Sequence, residues 1–228
     1  MGEHEPGNWG CFDAYPIVWE AYQRQAKPTL IAVARPHQLV FAGERVILDG
    51  SKSWSARGKL RKYEWIFGDG ARASGAIAER TYPESGEFSE ILKVTDASGN
   101  VSYDFAVIQV IDRSNPGLVP PTIHCSSFPT TNIRPNDSVT FKGRCFRTKE
   151  AAMLWDFGDG TPVVTTSSGR NIDLAMKDEP SVILAKDGYS EIQHRFSKSG
   201  DYIVRVQHRG ERGQQAIGHL WVHVGLSK

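Results

Sequence analysis

One hexapeptide pattern occurs twice in this chain, Trp65-Ile66-Phe67-Gly68-Asp69-Gly70 and Trp155-Asp156-Phe157-Gly158-Asp159-Gly160, offset by 90 positions. A pattern recurring at a domain-sized spacing means a duplicated building block, and it divides the chain into two similar units. In Tyr63-Glu64-Trp65-Ile66-Phe67 the aromatics fall on every second position, and Met153, Trp155 and Phe157 repeat the arrangement. Alternation puts each trio on one face of a strand. Gly-Asp-Gly then signals a turn, because Gly takes positive φ without penalty and Asp bonds its own downstream amides. Each copy reads as a core strand ending in a tight reversal, the start of a hairpin. On this reading Asp69 and Asp159 form turns before any catalytic or metal-binding role is invoked.

The repeat extends on both sides. Arg45-Val46-Ile47-Leu48-Asp49-Gly50-Ser51 aligns with Ser138-Val139-Thr140-Phe141-Lys142-Gly143-Arg144, and Pro36 with Pro129 at the same offset of 93. Downstream, Arg80-Thr81-Tyr82-Pro83-Glu84-Ser85-Gly86-Glu87-Phe88 aligns with His194-Arg195-Phe196-Ser197-Lys198-Ser199-Gly200-Asp201-Tyr202. These landmarks resemble the PKD domain, an immunoglobulin-like module common in secreted microbial enzymes and surface proteins. The first unit carries Val-x-Leu-Asp-Gly-Ser, Tyr-x-Trp-x-Phe-Gly-Asp-Gly and Val94-Thr95-Asp96-Ala97-Ser98-Gly99. The second is more divergent, with Lys142 replacing the first Asp and Phe196 where Tyr is usual. The resemblance spans about residues 31–225. It implies an all-β chain of two tandem immunoglobulin-like, PKD-type β-sandwiches with a short N-terminal extension. It fixes fold more firmly than function.

The 228 residues suit two domains, each long enough for one hydrophobic core. A net charge of +1 provides no field to steer the chain onto nucleic acid. No run of 18 apolar residues is present, so no membrane insertion is expected. Met1-Gly2-Glu3-His4-Glu5-Pro6 lacks the basic start and apolar segment of a signal peptide. The sequence reads as a mature or excised fragment.

The units divide as an extension over 1–27, a first sandwich over 28–111, a Pro-rich linker over 112–121 and a second sandwich over 122–228. Asp112-Arg113-Ser114-Asn115-Pro116-Gly117-Leu118-Val119-Pro120-Pro121 reads as a stiff, extended connection that limits the orientations of the units. The extension is rich in aromatics, with Trp9, Phe12, Tyr15, Trp19 and Tyr22. It reads either as a segment docked on the first unit or as an aromatic platform. Between Gly160 and Phe196 there are 35 residues, against 11 between Gly70 and Tyr82. The excess forms an insertion over 161–191, read either as an added hairpin through Val163-Val164 and Ser181–Leu184 or as a functional loop.

Cys125 and Cys145 lie symmetrically about Pro135 within a turn-rich stretch. An antiparallel pairing centred there sets them opposite one another, within reach of a disulfide. Two free buried thiols satisfy the same pattern. Cys11 is the odd cysteine.

No Gly-x-Ser-x-Gly, His-Glu-x-x-His, phosphate-cradling Gly loop or Cys-x-x-Cys occurs, so enzyme signatures are mostly missing. His219-Leu220-Trp221-Val222-His223 alternates as a strand, which sets its two imidazoles about 13 Å apart, too far for one metal. With Leu220, Val222 and Val224 facing the core, His219, Trp221 and His223 face outward, and Arg205 and Gln207 join them from the neighbouring strand. This stripe suits sugar stacking or a protein contact. A Trp covered by the first unit, the insertion or the N-terminal extension satisfies the same pattern. Trp54 is a second candidate exposed aromatic. The resemblance also brings in calcium, which some PKD domains of secreted collagenases bind. Asp49, Asp69 and Asp96 supply oxygens of the right kind, although their spacing does not make them converge. No other cofactor is expected.

The reading is therefore a non-catalytic, extracellular accessory module of an exported bacterial protein. It binds polysaccharide or protein and spaces or positions a catalytic domain of the same parent chain. A purely structural spacer or adhesin segment is the alternative. An enzyme using Asp173, Asp178, Glu179 and Asp187 of the insertion ranks behind both.

Overall fold

The computed structural model describes residues 28–148, 152–167 and 189–225. Among these residues all regular structure is strand. The aromatic segments of 1–27 and the insertion's Asp173, Asp178, Glu179 and Asp187 lie outside the described residues, as does Ser181–Leu184.

The first unit holds nine strands: β1 (Leu30–Ile31), β2 (Gln38–Phe41), β3 (Arg45–Asp49), β4 (Trp54–Ser55), β5 (Lys62–Ile66), β6 (Arg72–Ser74), β7 (Ile77–Thr81), β8 (Gly86–Thr95) and β9 (Val101–Ile111). Neighbours run β2-β9-β8-β5-β6 in one sheet, and the pairs β3-β7 and β1-β4 complete the unit. The alternation of β3 buries Val46 and Leu48 and leaves Ile47 outside. These two pack with Trp65, Phe67, Leu92, Val94, Ile108 and Val110 in one core.

The second unit repeats the plan with β10 (Thr122–Phe128), β11 (Val139–Phe146), β12 (Met153–Asp156), β13 (Val164–Thr166), β14 (Tyr189–His194), β15 (Gly200–Arg209) and β16 (Gln215–Val224). A β10-β11-β14 sheet faces β13-β12-β15-β16. Phe141, Trp155, Phe157, Phe196, Val204 and Val222 fill the space between. The aligned prolines, Pro36 and Pro129, both follow cis peptide bonds.

Both hexapeptides behave as their alternation requires. Trp65 and Trp155 are fully buried, and each parent strand reverses into the next, β5 into β6 and β12 into β13. Asp69 accepts the amide of Ala71 at 3.0 Å and Asp159 that of Thr161 at 3.0 Å, so both close their own turns.

The cysteine pairing departs from the expected register. Cys125 faces Gly143 and Cys145 faces Ile123, so the ladder is centred on residue 134 and the two thiols sit diagonally. Both cysteines are free. The connection between β10 and β11 explains the shift. Ile133 turns into the core, and its carbonyl accepts the amide of Gly225 at 2.7 Å. Only Arg134–Asp137 is left to make the turn, with the Asp137 amide donating to the Arg134 carbonyl at 3.0 Å. Burial, and secondarily the Glu87 carboxylate, pushes each thiol up to about 12. Both are therefore protonated and unreactive at neutral pH.

The linker is not extended. The amide of Asn115 reaches the Asp112 carbonyl and that of Leu118 reaches the Asn115 carbonyl, giving two successive turns. Arg113 lies over the Phe41 ring and pairs with Glu44. At the other end Arg147 donates to the Pro120 carbonyl at 2.8 Å. Each end is thus tied to the unit it adjoins.

The units join edge to edge. β9 covers one edge of β8 along its whole length, but β5 covers the other only from Ile91 onward. The start of β16 takes the open half in parallel, Gln215 opposite Gly86 and Ala216 opposite Glu87. Gly86 permits this approach, since a Cβ there would stand 2.8 Å from the Gln215 carbonyl oxygen. The result is one nine-stranded sheet crossing both units.

Candidate binding face at the junction of the two units

The odd-numbered residues of β16 face away from the second core and toward the first unit. Their partners come from the matching outer face of β8 and β9. His219 is buried, shares a 2.9 Å hydrogen bond with the Ser89 hydroxyl and stacks on Phe105 at 5.5 Å. Burial, with the positive charge of Arg205 beside it, lowers its pKa to about 3, so the ring is neutral. Beside this contact the Glu87 carboxylate accepts the Ile123 amide at 2.7 Å and the Gln109 side chain at 3.2 Å. Desolvation raises the Glu87 pKa despite those bonds.

Farther along β16 the contact opens to solvent. Trp221 is 38% exposed. Its indole meets Tyr103 of the first unit edge-on, with centroids 5.3 Å apart. Asp201 holds the indole from the other side, accepting Trp221 Nε1–H at 2.9 Å. The same oxygen lies 2.8 Å from His223 Nδ1. The Lys93 ammonium stands 6.0 Å from the Tyr103 ring centre. An oriented indole and a phenol, flanked by a carboxylate, an imidazole and an ammonium, therefore form one composite face drawn from both units. Such a surface can stack on the apolar face of a sugar or a flat side chain and bond its polar rim.

Of the outward stripe expected on β15 and β16, Trp221 and His223 remain open, while His219 is closed over by the first unit. Arg205 pairs with His219 in the ladder and points into a cleft between the units. Gln207 is half-buried and reaches Gln215 at 3.5 Å. His219 and Arg205 are therefore junction residues and not open-surface contacts, because unit one covers the face that carries them. Trp54 is 50% exposed on the β1-β4 ribbon, paired with Ile31.

The three aspartates considered for calcium each bond an amide of their own turn. Asp49 bonds the Ser51 amide, Asp69 the Ala71 amide and Arg80, and Asp96 the amides of Ser98 and Asn100. Among the described residues no three His, Cys, Asp or Glu side chains gather as a metal site.

Tyr103, Asp201 and Lys93 were not singled out by sequence reasoning. A signal for the first exists in Val101-Ser102-Tyr103-Asp104-Phe105-Ala106-Val107-Ile108. Ala106 and Ile108 face the core, so Tyr103 and Phe105 have the outward parity. Two aromatics on an outward parity ask for a partner.

Two largely antiparallel β-sandwiches with alternating cores place the chain among immunoglobulin-like β-proteins. Family models described as PKD domain match residues 25–110 and 126–217, and the chain belongs to the PKD domain family, in two tandem copies. Collagenase ColA of Clostridium perfringens is 33% identical over 81 residues, which are 36% of this chain and 7% of the collagenase. The chain thus spans a small fraction of that relative's length. The PKD1 domain of Vibrio anguillarum Epp is 25% identical, covering 37% of this chain and 96% of that domain at a TM-score of 0.32. The PKD1 domain of the Vibrio cholerae metalloprotease PrtV is also 25% identical, covering 37% and 98% at a TM-score of 0.30. Among the described residues no helix is long and apolar enough to cross a membrane.

Proposed function

We propose that this tandem is a non-catalytic accessory module of an exported bacterial protein, and that it binds a polysaccharide or protein surface through the Trp221–Tyr103 face. The observation that carries this is the composite aromatic pair. Trp221 is exposed, yet Asp201 fixes its indole and Tyr103 braces its edge. An exposed indole held in one orientation loses little freedom on binding, which favours a contact surface over an incidental one. The relative named as a collagenase supports a place beside a catalytic domain in a longer chain. Calcium plays no part in this reading.

Retention on insoluble polysaccharides and on fibrillar collagen tests it. Trp221→Ala is expected to lower the affinity for the retaining matrix about tenfold, close to 1.4 kcal/mol, with an unchanged circular dichroism spectrum. Equal retention of the wild type and this variant on every matrix would remove the binding role. The joined sheet and anchored linker would then favour the spacer reading, in which the module only sets the distance between its neighbours.

A further inference from the structure

We propose that the cleft between the two units binds the carboxylate of an acidic sugar, a uronic acid residue, with Arg205 as the anchoring cation. The cleft has a volume of about 500 Å³ and lies beside the half of β8 that β5 leaves open. Gly68, Asp69, Tyr82 and Glu90 line it from the first unit, and Arg205 and Gln215 from the second. Its size is that of clefts that hold small ligands.

The charges facing the cleft determine what it accepts. Asp69 is occupied by the Ala71 amide and by Arg80, at 2.5 Å. Glu90 is occupied by the Gly68 amide at 2.7 Å and the Tyr82 hydroxyl at 3.0 Å. Arg80 gives a terminal nitrogen to Asp69 and lies over the Phe67 ring, 4.3 Å from its guanidinium carbon, although its Nε, like that of Arg205, is shielded without an acceptor. The Arg205 side chain, unlike that of Arg80, makes no hydrogen bond or ion pair among the described residues, and its Nε has no acceptor. A guanidinium that has no acceptor within the chain can take an anion on its terminal nitrogens. The planar fork of Arg matches a carboxylate in particular.

Two further features favour a sugar over a peptide. On the cleft side of β8 only residues 88–90 lie between the β16 and β5 ladders, too short a stretch for an extended peptide to add a strand. Gln215 receives the Gln207 amide on its oxygen, which turns its own NH₂ into a donor for ligand hydroxyls. Tyr82 and Phe88, with ring centres 4.5 Å apart, supply an apolar wall.

Calorimetric titration of the full chain with digalacturonate, with the neutral disaccharide galactobiose and with tetraglutamate tests the assignment. Digalacturonate is expected to bind, with affinity lowered at least about tenfold in Arg205→Gln and less in Arg205→Lys, while the other two probes do not bind. If Arg205→Gln fails to fold, the Arg205 Nε–H resonance of the wild type supplies the readout and is expected to shift on adding digalacturonate. Equal affinity in Arg205→Gln, an unmoved resonance or no binding at all would overturn the proposal. Tetraglutamate binding as tightly as digalacturonate would overturn the sugar assignment. An Arg205 already held by a carboxylate of the chain would appear as a lowered melting temperature in Arg205→Gln with no response to digalacturonate, and that also overturns it.

Discussion

The aspartate of each Gly-Asp-Gly does more than close a turn. In the first unit Asp69 pairs with Arg80, which lies over Phe67. In the second, Asp159 lies 2.8 Å from His194, which stacks flat on Phe157 with centroids 3.8 Å apart. The repeat thus keeps its geometry while exchanging an arginine for a histidine. The two pairs differ in solvent access: the Asp69 side chain is 55% exposed and that of Asp159 only 9%. Asp159→Ala is therefore expected to cost about 1–3 kcal/mol, since it strands partly buried partners. Asp69→Ala should cost less, about 1 kcal/mol, because its pair is screened by water. Urea denaturation of the two variants measures the difference. Burial pushes the Asp159 carboxyl up, but hydrogen bonds from Thr161 and His194 outweigh it and hold the pKa below the ordinary 3.8. A depressed carboxyl contributes stability that is present above pH 3.8 and disappears as pH falls through the lowered value. Asp159→Asn should flatten that acid limb; an unchanged limb would assign the acid sensitivity to other carboxylates.

At the scale of elements, the uncovered half of β8 decides how the units meet. Gly86 and Gly200 occupy the same place in the repeat, yet only Gly86 stands against a foreign strand, where a Cβ would lie 2.8 Å from the Gln215 carbonyl oxygen. Gly86→Val forces that backbone apart and should weaken the seam by about 1–3 kcal/mol. Calorimetry is expected to show one transition for the wild type and two for the variant; a single unshifted transition would mean that the seam carries no coupling. The strands themselves were legible, because Trp65, Phe67, Trp155 and Phe157 alternate and the Gly-Asp-Gly turns follow them. The seam was not. Gly86 reads as the start of a strand, and nothing local says that a second strand passes beside it. The cysteine register failed for a related reason: Ile133 leaves the loop for the core, a choice made by packing and invisible to turn chemistry. His219 was placed on the correct face, but the cover of that face belongs to the other unit.

For the whole molecule, the seam turns two modules into one body with a face at their junction, and it brings a pH dependence. The His219 pKa falls from its ordinary 6.5 to about 3, so the docked form refuses a proton that the open form accepts. Its contribution is complete above pH 6.5 and is lost as pH falls, by about 2 kcal/mol at pH 5. Glu87 acts in the opposite sense. Its raised pKa gives a contribution complete below the ordinary 4.5 and lost as pH rises through the raised value. Stability measured between pH 7 and 5 should fall by about 2 kcal/mol less in His219→Phe, which keeps a ring against Phe105, than in the wild type; parallel profiles would contradict this assignment. The central claim is that Tyr103 from one unit and Trp221 from the other bind as a single surface. A double-mutant cycle of Tyr103→Ala and Trp221→Ala, read as affinity for the retaining matrix, tests it most directly. The expected result is weaker binding in each single variant and a coupling above about 0.5 kcal/mol between them. Additive effects, or full binding by either single variant, would contradict it.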